Sequence, residues 1–176
     1  MNALLMRQHE QIGDNIIFKG IDFSFYDATG IELKNVIFKY CNFTRASFLA
    51  CKMTNVQFIN CSMFKVNFNK ATLINVSFWR SYVAYATFDE TTLIDAHGHL
   101  VDFTGVDFLT ATVENAFMWI GNFKDAKANP DAGFRTKKGG DGIRYKIPVV
   151  CEIPEACEKC FQSCKGEKNE NSRKLL

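Results

Sequence analysis

Proline and tryptophan are scarce in this chain, with 3 and 2 residues in 176. No apolar run approaches the roughly 18 residues that a membrane-crossing helix needs. The start, MNALLMRQHEQIGD, has neither the long apolar stretch nor the small-residue cleavage site of a secretory leader. Glycine-rich phosphate loops, nucleophile elbows and H-E-x-x-H metal motifs are also missing, which removes the common sequence signatures of nucleotide-dependent, hydrolytic and zinc-protease chemistry. Cysteine numbers seven, an odd count at spacings unlike a secreted disulfide framework, so a reducing compartment is expected. These absences together predict a soluble, cytoplasmic protein with no membrane partner. Phenylalanine, at 17 residues, is the exception to this sparseness, and hydrophobic residues at 47% suffice to fill a core. One geometry is asking repeatedly for one side chain.

Stepping by five from Phe18 shows which geometry. Of the 22 positions Phe18, Phe23, Ala28 and onward to Phe123, all but Ala28 and Gly98 are large and apolar, and they hold 12 of the 17 phenylalanines. Two residues earlier each unit carries a small or β-branched residue, as at Val36, Cys41, Ala46, Cys51, Val56 and Cys61. The residue between is mostly polar. A period of five stays in phase with neither the 3.6 of a helix nor the 2 of a simple strand. It fits a square coil: each unit forms one side, four units close a 20-residue turn, and turns stack at about 4.8 Å with Phe, Leu and Met in four inner columns. The 22 units make about 5.5 coils.

Triplets such as Ala46-Ser47-Phe48, Cys41-Asn42-Phe43 and Ala86-Thr87-Phe88 in this register resemble the pentapeptide-repeat family, with its consensus A(D/N)LXX. The resemblance runs from Ile16 to Ala126 without an insertion. It implies an all-β fold, a right-handed quadrilateral parallel β-helix with a C-terminal strand and helix cap. Within that solenoid Gly98 is expected to leave a gap in one inner column, so that leucine there would be tolerated or stabilising, and Ala28 to weaken the first coil.

The remaining chain supplies the ends. Residues 1–15, with Leu4, Leu5, Met6 and Ile12, are expected to cap the first coil, residues 16–126 to form the solenoid, and residues 127–176 to form a capping extension with a flexible tail. In that extension Ile143–Val150 alternates like a strand, and Glu152–Lys165 looks like a short helix. Cys151, Cys157, Cys160 and Cys164 could together offer zinc four thiolates. Cys157, Cys160, Phe161 and Cys164 also fall at i, i+3, i+4 and i+7, one buried helix face, and that is the reading adopted: no metal and no cofactor are expected.

Residues 20 apart share a side, so the outer columns can be read directly. One runs Lys19, Lys39, Ile59, Trp79, His99, Trp119, and the next includes Tyr40, Arg80 and Leu100. Both tryptophans stand in one column of one side, while the other sides read as polar; such a patch marks a contact surface or a surface covered by the tail. His97 and His99 flank Gly98, but outward neighbours on a flat β-face should diverge into solvent with nothing to shift their pKa, so no catalytic residues are assigned. Charge is polarised along the rod. Residues 16–80 carry eight Lys and Arg against three Asp and Glu, a net +5, and residues 81–126 carry one against seven, a net −6.

The expected function is a non-enzymatic protein-binding module whose partner is another protein, or a second copy through the aromatic face or the C-terminal extension. The binding residues are Tyr40, Ile59, Trp79, Arg80, His99, Leu100 and Trp119. The family resemblance implies an alternative: some members imitate DNA and occupy a type II topoisomerase such as DNA gyrase, or another DNA-binding enzyme. Here Asp89, Glu90, Asp95, Asp102, Asp107 and Glu114 could imitate phosphates. Direct nucleic-acid binding is not expected, because the basic residues spread over all four sides.

Overall fold

The structure, a computed structural model, describes residues 9–119, 121–128 and 134–137. They form a parallel β-solenoid of about six turns, and among them there is no helix. Every fifth residue points inward and every twentieth residue stacks. On the side formed by residues 21–25 and their successors, side 2, bridges run Asp22↔Asn42↔Ser62↔Tyr82↔Asp102↔Asn122. Side 3, from residues 26–30, runs Asp27↔Ser47↔Asn67↔Thr87↔Asp107 in the same way. Side 1, from residues 16–20, contains Asn15–Lys19, Ser77–Trp79, His97–His99 and Ala116–Trp119; the longer strands Glu32–Lys39 and Lys52–Ile59 cover both side 4 and side 1.

A five-residue unit turns a square corner because its last residue is left-handed. Among the described residues seventeen non-glycine residues have positive φ, with Tyr40, Arg80, Tyr85 and Leu100 at 47–57°, and none of the seventeen is β-branched. Left-handed backbone costs roughly 1–2 kcal/mol per residue, so local preference alone would not select it. The compensation is a rung bond on each side of the chain, as where the N–H of Phe43 donates to the Ser62 carbonyl at 2.7 Å and that of Asn42 to the Ile21 carbonyl at 3.0 Å. At the Asn35, Asn55 and Asn75 corners the side chains add a ladder: Asn55 Nδ2 donates to Asn35 Oδ1 at 3.0 Å, and Asn75 Nδ2 to Asn55 Oδ1 at 2.9 Å.

Inside, rings of one column lie parallel and rings of adjacent columns meet edge to face. Phe38 and Phe58 stack at 5.2 Å, Phe58 and Phe78 at 5.5 Å, while Phe38 meets Phe43 at 5.0 Å and 87°. The small inward slot explains the solenoid's cysteines. Cys61 Sγ donates to the Phe38 and Ile59 carbonyls at 3.4 and 3.5 Å, and in the next coil Ser81 Oγ makes the same pair of bonds to Phe58 and Trp79 at 3.2 and 3.1 Å. Burial pushes the Cys51 thiol up to about 12, and hydrogen bonding with Cys41 together with burial raises that of Cys61. Native protein at neutral pH should therefore leave Cys51 and Cys61 unlabelled by a thiol reagent, and both should react once the fold is melted in guanidinium. Fast labelling of either in the native state would contradict this packing.

Two inner positions break the pattern, with opposite consequences. Ala28 heads a column continued by Phe48, Phe68, Phe88 and Phe108, and the missing ring leaves a cavity of about 30 Å³ lined by Phe18, Phe23, Tyr26, Leu33 and Phe48 among others. The irregularity at Ala28 takes the form of this cavity. Gly98 differs from expectation, since there is no gap: a Cβ there would lie 2.5 Å from Met118 Sδ and 3.4 Å from Phe103 Cε2. The long thioether of the next coil fills the place that a side chain at 98 would take.

At the ends, His9–Ile12 folds back through Gly13 and pairs antiparallel with Asn15–Lys19, which covers that edge of the first coil. At the other end the stacking continues past Ala126, where it was expected to stop. Lys127–Ala128 pairs in register with Asp107–Phe108. Phe134–Lys137 then pairs parallel to Ala116–Trp119 after 18 residues instead of 20. The strand expected over Ile143–Val150, the helix expected over Glu152–Lys165 and the four tail cysteines lie outside the described residues.

Candidate functional site on the outer faces

Side 1 carries the predicted strip. Ile59, Trp79, His99 and Trp119 are successive partners in the parallel register, and Lys137 follows Trp119. The Trp79 and His99 rings stack with centroids 4.2 Å apart and planes 15° apart. Strands about 4.8 Å apart hold flat side chains at stacking distance, so the two rings bury one another's faces while their outer edges stay accessible. Tyr40, Arg80 and Leu100 stand at the adjoining corner and are exposed, as their left-handed backbones direct.

This packing overturns one expectation. Both histidines are desolvated: burial lowers the His97 pKa against the pull of Asp95, and lowers that of His99 with Arg80 adding to the effect. His97 Nδ1 is buried without a hydrogen-bond partner among the described residues. With both pKa values held below the ordinary histidine value, the neutral imidazole of His99 dominates at neutral pH. It then meets Trp79 as a second aromatic ring more than as a cation.

Side 2 also corrects the sequence reading, which placed aromatic character on one side alone. Phe64 stacks on Tyr82 at 5.8 Å and 12°, and meets Tyr85 edge to face at 5.7 Å and 84°. Tyr82 and Tyr85 are 42% and 48% exposed, yet Ala84 between them, on an outward column, is 0% exposed. The three rings form a pad that roofs over it. Cations border the pad: Lys65 Nζ lies 5.3 Å from the Phe64 ring centroid, and Arg45 lies 5.8 Å from that of Phe25, itself 68% exposed. Reading column by column hides this cluster, because Phe64, Tyr82 and Tyr85 occupy three different positions of the unit. Checking diagonal neighbours would have found it.

Residues 41–80 match the family described as pentapeptide repeats, in eight copies, and the 20-residue parallel register surrounds them on both sides. The chain carries pentapeptide repeats. Solved structures similar to it include QnrB1, a plasmid-mediated fluoroquinolone resistance protein, at 15% identity, covering 69% of this chain and 72% of that one, with a TM-score of 0.30. Another is Rfr23, a pentapeptide repeat protein from the cyanobacterium Cyanothece 51142, at 11% identity, 72% and 84% coverage and a TM-score of 0.32. HetL, a pentapeptide repeat protein involved in heterocyst differentiation regulation from Nostoc sp. strain PCC 7120, matches at 11% identity, 76% and 91% coverage and a TM-score of 0.22. No curated protein matches the sequence.

Pentapeptide-repeat solenoids are in general structural or binding proteins rather than catalysts. In this one the six acidic residues of the DNA-mimic reading do not form one stripe. Asp89, Glu90 and Asp107 are on side 3, Asp95 and Glu114 on side 4, and Asp102 on side 2. Several already have local work. Glu90 pairs with Lys70 at 4.0 Å and Asp107 with Lys127 at 3.8 Å. Asp102 accepts hydrogen bonds from the Thr104 N–H and hydroxyl at 2.9 and 2.6 Å, and Asp107 accepts one from the Leu109 N–H at 2.8 Å. Among the described residues no group of three or more His, Cys, Asp or Glu could hold a metal ion, and no helix is long and apolar enough to cross a membrane.

Proposed function

We propose that this protein works by binding another protein through side 1, with Trp79 and His99 at the centre of the contact. The observation that carries the reading is their stack at 4.2 Å, continued by Ile59 and Trp119 in the backbone register. Rings already ordered by stacking lose little side-chain entropy when a partner covers them, and tryptophan in such a setting often dominates interface energy. Tyr40, Arg80 and Leu100 supply the rim. Occupation of a topoisomerase by DNA mimicry has less support, because a phosphate-like track needs its carboxylates aligned along one side. A supercoiling assay with purified protein addresses it directly.

The chain has only two tryptophans, so its fluorescence reports this strip. In cross-linked pull-downs from the source cell, Trp79→Ala with Trp119→Ala should lower recovery of the bound protein by about 30-fold or more, the loss expected for a hot spot worth about 2 kcal/mol. The folded circular-dichroism baseline should be unchanged. In the complex with the wild-type chain, tryptophan emission should resist acrylamide. Undiminished capture by the double variant, or free quenching in the complex, would refute the assignment of side 1.

A further inference from the structure

We propose that two copies of this chain associate face to face and antiparallel through side 2, with the aromatic pad of each on the two-fold axis. Four features of that side fit a second copy. The pad is ordered before any partner arrives, since Phe64, Tyr82 and Tyr85 pack on one another and seal Ala84 beneath them. It lies in the third and fourth coils, midway along the rod. The net charge of the solenoid changes sign at the same level, from +5 over residues 16–80 to −6 over residues 81–126. Finally, the charges of side 2 itself are arranged to pair under this symmetry.

Consider a two-fold axis lying across side 2 between the third and fourth coils. It reverses the rod, keeps each column opposite itself, and sets coil 1 against coil 6, coil 2 against coil 5 and coil 3 against coil 4. Arg45 of one copy then faces the level of Asp102 in the other, with Asp125 one coil further along its own column. Lys65 faces the exposed rings of Tyr82 and Tyr85, an arrangement that a cation and an aromatic face favour. The two charges that depart from the rod's polarity, Asp22 in the first coil and Lys124 in the sixth, are brought to the same level as well. A parallel pairing would bring Arg45 to the level of a second Arg45 and Asp102 to that of a second Asp102, with the columns crossed over, so charge favours the antiparallel one. Side 1 stays outward in both copies, and only its corner residues Tyr40, Arg80 and Leu100 border this contact.

One face of a six-coil rod is narrow, which puts the dimer at the weak end of specific interfaces, with dissociation in the micromolar range. Sedimentation velocity on the full chain should show a concentration-dependent monomer–dimer equilibrium. It should weaken between about 0.1 M and about 1 M salt, as the Debye length falls from about 10 Å to about 3 Å. Arg45→Glu should weaken association about tenfold or more, because the symmetry loses two charge pairs at once and gains repulsion. Asp125→Arg should do the same, and the double exchange of both residues in one chain should restore it. The backbone accepts these side chains, since Glu90 and Arg80 already occupy left-handed corners at φ 56° and 47°. Tyr85→Ser, at an exposed position, should abolish association without moving the melting temperature by more than a few degrees. A chain that is monomeric at every concentration would overturn the proposal. A dimer indifferent to Arg45→Glu and Tyr85→Ser, which would place the contact elsewhere, would overturn it equally.

Discussion

Phe58→Ala should cost about 3–5 kcal/mol of folding stability, the largest single loss expected from any one substitution in this solenoid. Phe58 is fully buried and central to two kinds of contact: it stacks on Phe38 and Phe78 within its own column and meets Phe43 edge to face at 5.5 Å. The rungs above and below are pinned by backbone hydrogen bonds and cannot collapse into the space, so most of the cavity would persist. Stability in a stacked repeat is carried by contacts between neighbouring coils, and this ring joins three of them. Urea melts provide the measurement. Phe123→Ala, at a half-buried ring near the end of the described stack, is the control and should cost clearly less. A loss below about 1 kcal/mol at Phe58 would mean that the columns are not close-packed.

The second large effect is expected at Gly98, in the direction opposite to the one the repeat pattern suggests. From the pattern alone, glycine in a column of phenylalanines is a void, and leucine should fill it. In the folded chain Met118 already occupies the space, and even a Cβ would lie 2.5 Å from its sulfur. Gly98→Leu should therefore destabilise by about 1–3 kcal/mol, the usual cost of overpacking. Because the obstacle is one flexible side chain, Met118→Ala should relieve it: the double variant should be more stable than the sum of the single effects by roughly 1 kcal/mol or more. Additive behaviour, or stabilisation by leucine alone, would show that the thioether is not what fills the site.

The two aromatic surfaces differ in how far they could be read in advance. The side 1 strip follows from arithmetic, because Trp79, His99 and Trp119 are 20 residues apart and an in-register stack must align them. The pad of side 2 does not, since Phe64, Tyr82 and Tyr85 meet diagonally, and which neighbours meet depends on how the corners splay the side chains. The lowered histidine pKa values share that origin. His99 looks exposed when counted along the chain and is desolvated because Trp79 covers it.

What the amino-acid order determined by itself is the coil: a five-residue period sustained through more than 20 units is compatible with a square turn and with neither helix nor flat strand, so side assignment, inner columns and the polarity of charge all follow. Interpenetration between coils was decided only by the tertiary structure. Met118 reaching into the place of Gly98, the cavity beside Ala28, the roof over Ala84 and the 18-residue step to Phe134–Lys137 each depend on how far a side chain or corner extends toward the next coil. A periodic pattern specifies which positions face each other. Rotamer and corner geometry then settle how the space between them is filled.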